Sequence, residues 1–262
     1  VIVEATFKLL PIDPQNGMLL ASFPTLSDSL AAGRKLIHSS ASPMGCHSVT
    51  SRVSRRLQDS TQAASQDLGL GDEDTALLFA FFSGRSQATR RRLEEAAAIL
   101  QAEGADAVQR IEGPAAKGLL RWITDAPPLL SDDSALVMKV SVQSKSSART
   151  SAECSDIVLF GEKPEQMADP GFGTIRLFWP KYGDIQSPHS MEPRLIIDTI
   201  QQVRQVVARY EGSAVVEQCP ITTKAQIDVW GEYPDSLAIM QSIKNRFDPN
   251  RILNPGRFLG GI

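Results

Sequence analysis

Two stretches of this chain, residues 17–112 and 134–218, pass through the same order of apolar patterns, and that order constrains the fold more than any other feature. The first opens on a short apolar run at 17–23. Leu26, Leu30, Gly33 and Ile37 then follow at spacings of four, three and four, one face of a helix that Thr25 or Ser27 can cap. A strand at 46–50, a continuous apolar strand at 75–82 (TALLFAFF), a helix over 85–103 with Leu93, Ala97 and Leu100 on one face, and a strand at 105–112 complete it. A short helix at 115–124 is expected to end near Pro127 and Pro128. The order then restarts: strands at 134–142, 157–160 and 173–179, a helix over 193–210 with Ile196, Ile200, Val203, Val207 and Tyr210 on one face, and a strand at 213–218. No residue-level repeat accompanies the pattern. Split strand-helix-strand units of this kind predict an α+β fold, an antiparallel sheet with helices on one face, over a doubly wound parallel sheet.

Bulk properties remove several classes of function. A formal charge of -3 gives no basic footprint for nucleic acid. No run approaches the roughly 20 apolar residues of a membrane helix. Cys46, Cys154 and Cys219 are far apart and form no Cys-x-x-Cys pair, which predicts reduced thiols in a cytoplasmic protein. His38, His47 and His189 have no metal-ligand spacing, and His38 suits a helix C-terminus. Among phosphate-binding or nucleophile motifs there is no Gly-x-Gly-x-x-Gly, no Gly-Lys-Ser/Thr loop and no Gly-x-Ser-x-Gly elbow. Arg90, Arg91 and Arg92 read as a solvated helix face, with Glu94 and Glu95 four residues on from the first two.

Two segments invite a chemical reading. In ADPGFGTIRLFW, Gly171 and Gly173 permit a tight turn or a close approach to a ligand. Arg176 points away from the face of Ile175 and Leu177, so it is either a surface arginine or a bidentate clamp for a carboxylate. The C-terminal stretch is denser in signal. Pro234 can start a helix with Leu237, Met240, Ile243 and Phe247 on its apolar face, and Asp248-Pro249 ends it. RILNPGRFLGGI then gathers Asn254, Pro255, Gly256, Arg257 and a Gly260-Gly261 pair.

MQSIKNRFDPNRILNPGRFLGGI resembles the C-terminus of the FAD-linked oxidase family that includes vanillyl-alcohol oxidase, D-lactate dehydrogenase and glycolate oxidase. VIVEATFKLLP, which begins without Met inside an apparent strand at 1–9, resembles the strand by which that family's chain leaves its flavin-binding domain. DVWGEYP is most similar to the smaller flavin subunit of glycolate oxidase. The resemblance implies a ferredoxin-like cap over the flavin, divided into an exit strand at 1–11, a cap domain at 12–228 and a return segment at 229–262. It implies FAD, bound mainly by a domain outside these residues, with Asn254 and Arg257 nearest the flavin and the backbone of Ile2 and Val3 on its other side.

The implied reaction is hydride transfer from glycolate or a related 2-hydroxy acid, with Arg176 as the catalytic contact to substrate. Two features depart from the family pattern: the Gly-rich flavin loops are absent, and ADPGFGTI lacks the His and Asn of the family's His-x-Gly-x-Gly-Asn segment. They leave a second expectation open, an assembly module that docks a flavin or iron-sulfur partner subunit, through which the chain reaches a membrane.

Overall fold

The apolar runs of the first stretch produce β1 (Gln15–Phe23) and β3 (Ala76–Gly84), and the chain order is β1, α1 (Leu26–Ile37), β2 (Gly45–Thr50), α2 (Ser51–Ser60), β3, α3 (Ser86–Ala102) and β4 (Ala107–Glu112). The structure is a computed structural model that describes residues 3–8, 15–60, 75–181 and 192–262. It divides into two units, Val1–Ala126 and Pro127–Ile262. In the first unit the strands lie in the order β4-β1-β3-β2, every described pair antiparallel, the split strand-helix-strand arrangement of a ferredoxin-like fold.

Strand periodicity decides which side chains meet. Leu19, Ala21 and Phe23 of β1 share a face with Leu78, Ala80 and Phe82 of β3, and Leu36, Leu93 and Leu100 of α1 and α3 close over them. Each buried Leu or Phe of this set contributes about 1.5–3 kcal/mol. The close seat of α3 depends on Gly17, where a Cβ would lie 2.6 Å from Leu93 Cδ1. Thr25 is the cap of α1, its Oγ1 accepting from the Asp28 N–H at 3.1 Å, and His38 ends that helix as expected.

Arg92 does not belong to a solvated face. Its Nε donates to the Ala41 carbonyl at 2.7 Å, a second nitrogen reaches the Ser42 carbonyl, and the guanidinium lies over the Phe82 ring. Glu95 takes the Ser40 hydroxyl rather than Arg91. Helix α4 (Pro114–Asp132) also differs from expectation, because it runs through Pro127 and Pro128. The prolines forfeit two donors but hold helical φ, and Leu130 is buried beyond them.

The second unit repeats the first. Its elements are β5 (Ser134–Ser141), α5 (Ser147–Ser155), β6 (Glu165–Asp169), β7 (Thr174–Pro180), α6 (Pro193–Ala208) and β8 (Ser213–Gln218). The strands lie in the order β6-β7-β5-β8, again antiparallel. The strand expected at 157–160 is instead a tight turn, with Phe160 and Gly161 at positive φ and one bridge between Leu159 and Glu162. The true strand, β6, is the polar sequence EQMAD. Gln166 can be buried there because Ser151 donates to its Oε1 at 2.8 Å and its Nε2 donates back to the Ser151 carbonyl at 3.2 Å.

Short α7 (Ile221–Lys224) and α8 (Leu237–Phe247) follow β8. Of the apolar face expected of α8, Leu237 and Met240 are half-buried while Ile243 and Phe247 are exposed, and Ile239 beside them is exposed as well. Residues 3–8 form no strand, and Val3 and Phe7 are exposed. A strand needs a neighbour for its N–H and C=O groups, and none is paired with it among the described residues.

Candidate functional site

Helices α5 and α6 pack on one face of the second unit's sheet, over Val140, Ile175, Leu177 and Ala214. The opposite face carries the charge. Register places Lys139 of β5 directly between Arg176 of β7 and Val215 of β8. Two cations opposite each other across an antiparallel pair repel. Glu217 of β8 answers one of them, its Oε2 accepting from Arg176 Nε at 3.0 Å, with both side chains about one-third exposed. Among the described residues no carboxylate pairs with Lys139.

This face opens into a pocket of about 730 Å³, whose lining includes Lys139, Glu217, Cys219, Lys224, Trp230 and Arg257. Burial pushes the Cys219 thiol above its ordinary pKa against the pull of Lys224, so at neutral pH it is a thiol and not a nucleophile. Burial likewise pushes Cys154 up to about 12.

One wall of the pocket is the segment DVWGEYP, and its composition has mechanical reasons. Asp228 Oδ1 accepts from the Trp230 N–H at 2.8 Å and its Oδ2 accepts from the Tyr233 hydroxyl at 2.6 Å, which raises the Tyr233 pKa. The Val229 carbonyl accepts from Val216 N–H at 2.8 Å, fastening the segment to β8. Arg204 of α6 holds it from behind by donating to the Asp228 and Val229 carbonyls. Trp230 in turn meets the Phe258 ring edge-on at 5.0 Å, which ties the wall to the C-terminal stretch.

That stretch is organised by Asp248. The carboxylate is buried and accepts from the N–H groups of Ile252 and Leu253, each at 3.0 Å, while Lys244 Nζ lies 2.7 Å away. Lys244 also donates to the Leu253 carbonyl. Lys244 and the two N–H donors pull the Asp248 carboxyl from 3.8 down to about 2. A carboxyl depressed on folding stabilises the fold above its unfolded value, and that contribution disappears as pH falls through its folded value. Amide exchange should therefore show Ile252 and Leu253 protected at pH 5, with protection lost between about pH 4 and pH 2. In Asp248→Asn the same protection should be weakened at every pH.

Of the residues singled out in the sequence, Arg257 lines the pocket and Arg176 reaches it through Glu217. Asn254 starts the turn that presents Arg257: it stands at φ 46°, exposed, and its carbonyl accepts from the Arg257 N–H at 3.2 Å. Val3 is exposed in the first unit, and Ile2 and His189 lie outside the described residues. The glycines of ADPGFGTI make a hairpin turn: Asp169 Oδ1 accepts from the Gly171 and Phe172 N–H groups. Sequence reasoning did not pick out Lys139, Glu217 and Lys224. Lys139 had a signal, as the lone charge in the strand SALVMKVS. Among the described residues no three His, Cys, Asp or Glu side chains gather to hold a metal, and no helix is long and apolar enough to cross a membrane.

The profile of one protein family, FAD linked oxidases, C-terminal domain, matches residues 13–142 and 222–258. Among solved structures the chain is similar to p-cresol methylhydroxylase with substrate bound, at 15% identity and a TM-score of 0.62, over 96% of this chain and 54% of that one. It is similar to alkyldihydroxyacetonephosphate synthase at 12% identity and a TM-score of 0.57, over 93% and 44%. It is also similar to 4-ethylphenol oxidase from Gulosibacter chungangensis in its isoeugenol complex, at 14% identity and a TM-score of 0.52, over 95% and 55%. The chain thus spans about half the length of these structures, and identities this low show the fold alone. No curated protein matches it.

Proposed function

We propose that this chain, which belongs to the FAD linked oxidases, C-terminal domain family, is the substrate-covering part of an FAD-dependent oxidoreductase acting on glycolate or a related 2-hydroxy acid. The observation that supports this most is the cation-lined pocket on the face of the second unit's sheet opposite α5 and α6. A small carboxylate is the ligand such a lining favours, since charge-assisted hydrogen bonds to ammonium and guanidinium groups orient it.

FAD, when bound, supplies the acceptor for a hydride leaving the substrate α-carbon. The residues in hand fit the rim of such a site and not its nucleotide half. The turn at Asn254 offers exposed polar groups and positive-φ backbone, whereas the sequence holds no Gly-rich loop to cradle a pyrophosphate. On this reading Asn254 and Arg257 border the flavin. Arg176 and Lys139 hold the substrate carboxylate, and Trp230 shields it from water.

A second reading has its own observation. Ile239, Ile243, Phe247 and Ile252 leave an apolar surface uncovered along α8 and the segment after it, which suits a module that docks a partner flavin or iron-sulfur subunit. One experiment separates the two. The protein is purified in the assembly the cell makes, and its visible spectrum is recorded before and after adding glycolate or D-lactate anaerobically. Bleaching of a bound flavin is the expected result. A flavin that no hydroxy acid reduces, or no flavin at all, overturns the enzyme reading in favour of the docking module.

A further inference from the structure

The geometry points to a small-oxyanion site in the Lys139 pocket, in which Glu217 is a built-in counter-ion whose place an incoming carboxylate takes. The inference rests on the reading above for the identity of the anion, the acid group of the substrate, but its residues argue for themselves. Lys139 and Arg176 stand opposite each other in neighbouring strands, and only Arg176 has a carboxylate partner among the described residues. Arg176 stands behind the lining, in which Lys224 and Arg257, without an ion pair among the described residues, join Lys139, so three lining cations face one carboxylate. A pocket of about 730 Å³ falls in the range of small-molecule sites, about 300–1,000 Å³.

The four cations do not count equally. Lys224 and Arg257 are exposed, so their pull is screened by salt and serves mainly to draw an anion in. Lys139 and Arg176 are half-buried on a rigid sheet, where a hydrogen-bonded charge is worth more. Glu217 answers Arg176 and leaves Lys139, directly opposite Arg176 in the sheet, without a carboxylate among the described residues. An oxyanion that bonds to both cations must compete with it, so a neutral ligand does not displace Glu217, and a small carboxylate or phosphate does.

Calorimetric titration of the full chain with glycolate, and separately with inorganic phosphate, tests this without any flavin. Saturable one-to-one glycolate binding that weakens with added salt is expected. Glu217→Gln should tighten it about tenfold and Lys139→Met should weaken it about tenfold, the change that one charge-assisted contact produces. The gain in Glu217→Gln cannot come from misfolding, so the pair remains decisive even if Lys139→Met folds poorly.

Absence of saturable binding for both anions, or binding that neither substitution moves, overturns the site. Preference for phosphate over glycolate supports the oxyanion site and overturns the hydroxy-acid assignment. Glycolate binding in a protein whose flavin no hydroxy acid reduces supports the site and overturns the enzyme reading.

Discussion

Replacing Gly173 by alanine should cost the second unit about 3 kcal/mol or more, read as a fall in the urea midpoint at unchanged slope. Gly173 stands at φ 65°, the left-handed region that costs an L-residue about 1–2 kcal/mol. Space adds to the strain. A Cβ there would lie 2.1 Å from the Val142 carbonyl oxygen and 3.0 Å from the Ser144 nitrogen, both backbone atoms. The backbone cannot retreat freely, because Gly173 N–H donates to the Asp169 carbonyl and its own carbonyl accepts from Val142 N–H, each at 3.0 Å. Breaking either bond costs about 1 kcal/mol more. Gly161→Ala is the control, at φ 85° with nothing within 4 Å of its Cβ, and should cost about 1–2 kcal/mol. Equal losses in the two variants would refute the steric argument. The effect reaches the site as well, since Arg176 lies three residues beyond the turn and glycolate binding should weaken with the fold.

Much of this architecture is legible without coordinates, and the failures have physical causes. β3 and β7 are readable because apolar or alternating runs can satisfy a sheet in only one way, and the repeated strand-helix order already implies two split units. β6 was hidden because its Gln166 is satisfied by Ser151, fifteen residues earlier, a pairing no local pattern reveals. Periodicity located α8 and its apolar face but could not say how much of that face is buried, since spacing shows which face seeks cover and not what covers it. The tail motif was legible only as a resemblance. Its logic, a buried Asp248 answering two N–H groups and Lys244, needs the contacts themselves. Arg176 could be placed on the open face by alternation alone. The pocket could not, because it draws on β5, β8, α7, the DVWGEYP segment and Arg257, brought together by chain reversals that sequence spacing does not encode.

Arg204 is where the fold and the site depend on one side chain, and Arg204→Met should remove about 3 kcal/mol of stability together with the oxyanion site. Its Nη2 donates to the Asp228 carbonyl at 2.7 Å and the Val229 carbonyl at 3.4 Å, and its Nε reaches the Ala214 carbonyl at 3.5 Å. Burial pushes its pKa down, while Asp228 and Glu232 push it back up, so it stays charged and its bonds to carbonyls are of the stronger, charge-assisted kind. Methionine keeps the apolar stem but takes the charged donor from the Asp228 and Ala214 carbonyls and leaves the Val229 carbonyl only its bond from Val216 N–H. The wall formed by Val229 and Trp230 should then loosen from α6, and Trp230 should lose its seat against Phe258. Trp230 is the least buried of the three tryptophans, so a red shift and stronger iodide quenching of emission report its release. Arg204→Lys should recover at most one of the three bonds, because an ammonium lacks the planar fork, and should fall between the two. If Arg204→Met leaves glycolate binding and tryptophan emission unchanged while lowering the urea midpoint, the wall is held by Val216 and Asp228 alone. The guanidinium then supports the helix and not the site.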